Sequence, residues 1–132
     1  MSVEAKWIND EKTILEFSYY KGWTWDDYFS ALGISHEMVT AQSHTVYALS
    51  NFNQTTFPAI RKNALTQWQV AEGRYVPASN LAVVVSFGLT PFAKHLSRLY
   101  LRFKRRPVRF IIVDNREAAL QEIHKIMEEE NL

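Results

Sequence analysis

Residues Leu81–Phe87 read Leu-Ala-Val-Val-Val-Ser-Phe, an almost unbroken apolar run. Side chains alternate between the two faces of a strand, so a strand apolar at nearly every position is covered on both faces. Val108–Val113 is a second run of the same kind. Between them, Thr90 is placed as an N-cap, Pro91 suits a first helical turn, and Pro107 closes the segment. Phe92, Leu96, Leu99, Tyr100 and Phe103 recur at three- and four-residue steps, which predicts the inward face of a helix. Strand, helix and strand in that order predict parallel strands joined by a crossover.

The rest of the chain extends the pattern. Val3–Ile8 and Thr13–Tyr20 read as strands joined by the polar turn Asn9-Asp10-Glu11-Lys12. Thr24 is placed as the N-cap of a helix, with Asp27 three residues on in a capping-box position. Trp25, Tyr28, Phe29, Leu32 and Val39 form that helix's buried face, and Gly33 marks a point where it is expected to bend or break. Thr45–Leu49 is a short strand, and Pro58 opens a second amphipathic helix that ends near Gly73. Asp114 with Glu117 predicts a capping box for a last helix, with Ala119, Leu120, Ile123 and Ile126 facing inward. The predicted order is β-β-α-β-α-β-α-β-α. It describes a single α/β domain over residues 1–132, a mixed sheet with helices packed on it.

Composition excludes several classes. With 47% hydrophobic and 22% charged residues the chain is of globular type, and without cysteine it has no disulfide, thiolate metal site or thiol nucleophile. No apolar run approaches the roughly 20 residues that span a bilayer, and no signal-peptide pattern opens the chain. A cytoplasmic protein that is not transmembrane is expected. The net charge of +1 conceals segregation: residues 73–113 carry eight basic side chains and no acidic one, between two acidic stretches.

The element order, together with Trp23-Thr24-Trp25-Asp26-Asp27-Tyr28 at the first helix and a polar loop from Ser50, resembles the STAS fold. That fold is shared by anti-sigma-factor antagonists and the cytoplasmic tails of anion transporters. Within that fold the chain looks closer to the stand-alone bacterial STAS-like proteins. The resemblance implies a non-enzymatic regulatory or protein-interaction module without a cofactor, docking a partner protein through the loop residues Ser50, Asn51 and Asn53. In the antagonist branch a phosphorylatable hydroxyl opens the helix after the third strand, where free N–H groups favour phosphate. The matching stretch here is Gln54-Thr55-Thr56-Phe57, so Thr55 and Thr56 are the candidate phosphoacceptors. Gln54 stands in place of the branch's usual Asp, and Phe57 in place of its glycine.

The sharpest charge feature is the stripe Lys94, Arg98, Arg102 and Arg105, with Arg109 close by. It suits an anionic ligand or lipid surface, and a simply solvated face balanced by the acidic ends gives the same pattern. Nucleic acid is the weaker partner, because the aromatics sit at core spacings rather than beside the charge. His36, His44, His95 and His124 lack the helical spacing of a metal site, and no metal is expected. No nucleophile elbow or phosphate-binding glycine loop occurs, so the chain reads as a non-enzyme. Tyr19 and Tyr20 cannot share a strand face, so one of them, or Trp23, is expected at the surface. An exposed aromatic there favours protein contact, including a homodimer.

Overall fold

The computed structural model describes residues 2–55, 78–103 and 108–130. Along the chain run β1 (Val3–Trp7), β2 (Ile14–Tyr19), α1 (Trp25–Thr40), β3 (Val46–Asn51) and β4 (Leu81–Phe87). They are followed by α2 (Pro91–Phe103), β5 (Arg109–Ile112) and α3 (Arg116–Glu130). The helix expected from Pro58 to Gly73 lies outside the described residues.

The polar quartet closes the hairpin as expected. Asn9 Oδ1 accepts from the backbone N–H of Thr13 (3.1 Å) and Ile14 (3.2 Å), and Lys12 turns the chain at φ 55°. β1 pairs antiparallel with β2, setting Val3 opposite Tyr19 and Trp7 opposite Leu15. Every later pairing is parallel, and the sheet order β1-β2-β3-β4-β5 repeats the chain order. Successive right-handed crossovers in one direction put their helices on one face. α1 and the start of α2 share that face, where Leu89 and Ala93 join the cluster of Phe17, Tyr19, Tyr28 and Ala31. α3 follows the last strand and covers the other face, packing Ala119, Ile123 and Ile126 on Leu49, Val83 and Val85. The result is a five-stranded mixed sheet in an α/β domain.

α1 begins where Thr24 Oγ1 accepts from the Asp27 N–H at 3.1 Å. The Asp27 carboxylate completes no capping box. It accepts instead from the Ser2 hydroxyl and N–H, tying the start of β1 to the helix. α1 runs unbroken through Gly33, because Tyr28, Ala31, Ser35 and Val39 are buried on either side of it. At its far end Asn80 Nδ2 lies 2.9–3.1 Å from the carbonyls of Val39, Gln42 and His44, satisfying acceptors that a helix terminus leaves open.

Three expectations are corrected. α2 turns Ala93 and Ser97 inward, and Phe92, expected in the core, is 52% exposed. Ala93 packs in the aromatic cluster, Leu99 is half-buried, and the side chains of Leu96, Tyr100 and Phe103 lie outside the described residues. Val108–Val113 shortens to the four-residue β5 at the sheet margin, half-buried rather than covered on both faces. The last helix is capped by Asn115, whose Oδ1 accepts from the Ala118 N–H at 2.8 Å, while Asp114 is drawn to Lys94.

Candidate functional site

In a parallel sheet, ligand and partner sites gather where the strands end at their carboxyl termini. Here those ends are Tyr19, Asn51, Phe87 and Ile112. The loops after β2, β3 and β4 form a rim, built outward from Asn51. Its side chain points to the α3 face, where Nδ2 donates to Glu16 Oε2 (3.1 Å) and Oδ1 accepts from the Asn53 N–H (3.0 Å). The chain then takes two consecutive left-handed residues, Asn53 at φ 51° and Gln54 at φ 60°. Such residues are strained outside glycine, and the surrounding bonds hold them there. Asn53 Nδ2 donates to the Tyr19 carbonyl (2.7 Å) and the Gln54 N–H to the Gly88 carbonyl (2.7 Å). Trp23 Nε1 donates to Thr55 Oγ1 (3.2 Å). Three loops are thereby cross-tied.

Gly88 makes the closest approach. It sits at φ 74°, and a Cβ there would lie 3.1 Å from the Asn53 nitrogen and 3.5 Å from Asn51 Oδ1. Only glycine suits both the angle and the space.

The expected loop residues therefore play different parts. Ser50 is buried at 7% exposure on the α1 face, the face that carries Tyr19. Burial, with Tyr28 alongside, keeps the Tyr19 phenol well above its ordinary value. Asn51 is half-buried, and Asn53 and Gln54 are exposed. Thr55 is half-buried and its oxygen already receives the Trp23 indole, whereas Thr56 lies outside the described residues. Tyr20, 39% exposed, is the surface aromatic at the end of β2, and its hydroxyl donates to Glu4.

Beneath the rim lies a carboxylate that composition and spacing did not single out. Glu16 is 4% exposed on the α3 face of β2, where Arg116 Nη1 reaches Oε1 at 2.5 Å. Burial opposes its ionisation. The bonds from Arg116 and Asn51, with the charges of Arg116 and Lys6, outweigh burial and hold the carboxyl below its ordinary range. The one readable signal was a charged residue in the middle of the otherwise uncharged Thr13–Tyr20.

The basic stripe is divided. Lys94 pairs with Asp114 at 2.9 Å, and that bond, with the charges of Lys94 and Arg98, lowers the aspartate's pKa. Arg98 is exposed. Arg102 falls in the last turn of α2, and Arg105 lies outside the described residues. Arg109 pairs in register with Val83, which places it on the α3 face rather than beside α2. His44 Nε2 lies 2.8 Å from the Lys12 carbonyl, closing one loop on another. Among the described residues no group of three His, Asp or Glu is placed to hold a metal ion. Among them, too, no helix is long and apolar enough to cross a membrane. Compared with models of protein families, with curated proteins and with solved structures, the chain matches none of them.

Proposed function

We propose that this chain is a non-enzymatic regulatory module similar to STAS domains, which docks a partner protein through the rim at the strand C-termini. The carrying observation is the pair Asn53 and Gln54, held left-handed and exposed by bonds to the two neighbouring loops. A loop fixed in this way loses little conformational freedom on binding, which favours a specific protein contact. Two further features support the reading: an opening hairpin, and parallel strands laid down in chain order. Tyr20 extends the same surface with an aromatic side chain of the kind enriched at interfaces.

Capture of partners from host lysate tests it, comparing the native chain with Gln54→Arg and Tyr20→Ala. Gln54→Arg leaves the backbone bond to Gly88 in place. Loss of a central contact is expected to weaken retention by about thirtyfold. Equal retention of the same partner by both variants would remove the rim from the proposal. The phosphoswitch at Thr55 is tested separately, by intact mass of protein purified from the host. Phosphate there would displace the Trp23 indole, so modified protein is expected to show altered tryptophan emission. A homogeneous unmodified mass in every growth state would remove the switch.

A further inference from the structure

α2 carries a second surface, independent of the rim. With ~100° per residue, Arg98, Pro91, His95, Leu99 and Phe92 follow one another around the helix over roughly 120°. Opposite that arc lie Ala93 and Ser97, both buried against the rest of the fold. Pro91, Phe92, His95 and Arg98 are exposed and Leu99 is half-buried. At 52%, Phe92 is the most exposed large hydrophobic side chain among the described residues. The outer face of α2 is thus one convex band, cationic along one edge and apolar along the other.

The band's charge is only partly offset within the described fold, where one carboxylate, Asp114, feels both Lys94 and Arg98. Residues 73–113 contain no acidic residue. Asp114, at the end of β5, pairs with Lys94 on the flank of the helix. The acid-rich end of α3 belongs to the opposite face of the sheet, where Glu130 accepts from the Tyr47 hydroxyl. α2 also segregates charged from apolar positions more sharply than α1 or α3 does, at a mean hydropathy near neutral. Sharp segregation, low overall hydropathy, cations on one edge and Phe with Leu on the other are the marks of a helix lying in a lipid interface. A single convex helix face offers neither the groove that receives a peptide helix nor the stacking platform that holds single-stranded nucleic acid.

We propose that the outer face of α2 docks on a bilayer surface bearing anionic phospholipid, with Phe92 entering the headgroup region and Arg98 meeting the phosphates.

Co-sedimentation of the full chain with vesicles tests this. One set contains one part phosphatidylglycerol to two parts phosphatidylcholine, and the other phosphatidylcholine alone. Binding is expected only to the anionic vesicles, and it should fall as salt rises. A cation near such a surface is worth about a factor of five, so reversing one charge in Arg98→Glu is expected to lower partitioning about twenty-five-fold. Phe92→Ser, which removes a half-exposed ring, is expected to lower it about tenfold. Lys125→Glu makes the same change in net charge on exposed α3 and is expected to leave partitioning near the native value. Protein left in the supernatant at low salt would overturn the proposal, as would equal losses in Arg98→Glu and Lys125→Glu. Retention of an acidic host protein through Arg98 without any vesicle binding would overturn it in favour of a protein partner.

Discussion

The two faces of the sheet are held together by different physics. On the α1 face, rings meet rings: Tyr19 stacks on Phe52 with centroids 4.1 Å apart and planes 6° from parallel, and Trp23 meets Tyr19 at 4.8 Å and 61°. On the α3 face the packing is aliphatic, with Leu49, Val83, Val85 and Ile123 fully buried, and it ends where buried Glu16 pairs with the half-exposed Arg116. Ring contacts depend on angle as well as area, whereas aliphatic packing depends mainly on volume. The first face should therefore be intolerant of changes in shape. The second should tolerate them until the Glu16–Arg116 ion pair is broken.

The largest effect that separates the faces is expected at Tyr19. Tyr19→Ala removes a buried ring touching Phe17, Trp23, Tyr28 and Phe52, and is expected to cost about 4 kcal/mol. Leu49→Met, a near-isosteric change on the other face, is expected to cost less than about 1.5 kcal/mol. Urea midpoints at unchanged slope measure both. Equal losses would show that the faces do not differ in this way.

Breaking the ion pair probes the exception on the tolerant face. Arg116→Met leaves the Glu16 carboxylate buried beside Asn51 with its main cation gone. Allowing for the half-exposed guanidinium, the expected loss is about 2 kcal/mol. Adding Glu16→Leu removes the stranded charge, and the double variant is expected to regain most of the loss. A double variant as weak as Arg116→Met would mean that the arginine acts through packing rather than charge.

Both the faces and the pair bear on what the sequence made legible. The opening hairpin, α1 with its Thr24 cap, the apolar β4 and the exposure of one aromatic among Tyr19, Tyr20 and Trp23 could be read because each depends on near neighbours in the chain. The outward turn of Phe92 could not, since apolar spacing finds a helical stripe without saying whether another surface is free to receive it. The Glu16–Arg116 pair joins residues a hundred positions apart, and Asn115 displaced Asp114 as cap because Lys94, on another helix, claimed the aspartate. At the rim, Asn51 and Asn53 were legible as polar loop residues. Their left-handed partner Gln54 and the glycine that admits them were not, because a positive φ at Gln54 has no compositional mark.

Gly88 gives the next effect in size and tests whether the rim is as exacting as the aromatic face beneath it. Gly88→Ala forces a Cβ into a left-handed position 3.1 Å from the Asn53 nitrogen, and is expected to cost about 2 kcal/mol. Hydrogen exchange should locate the loss, with the Gln54 amide exchanging faster than those of α3. Uniform acceleration across the domain would make Gly88 a determinant of the whole fold rather than of the rim.

The smallest effect is the pH response of the aliphatic face. Glu16 has its folded pKa held below the ordinary 4.5, so it contributes stability above that value and loses it as pH falls through the folded pKa. Glu16→Gln removes this contribution while keeping shape and burial. The stability gap between native chain and variant should therefore be constant near neutral pH and narrow progressively below about pH 4.5. Asp27 and Asp114 also have lowered values, but both are unchanged in the variant and cancel from the difference. Parallel curves down into acid would mean that Arg116 and Asn51 stabilise the neutral carboxyl as well as the charged one. The Glu16–Arg116 pair would then owe its place to hydrogen-bond geometry alone, and the α3 face would resemble the α1 face in depending on shape.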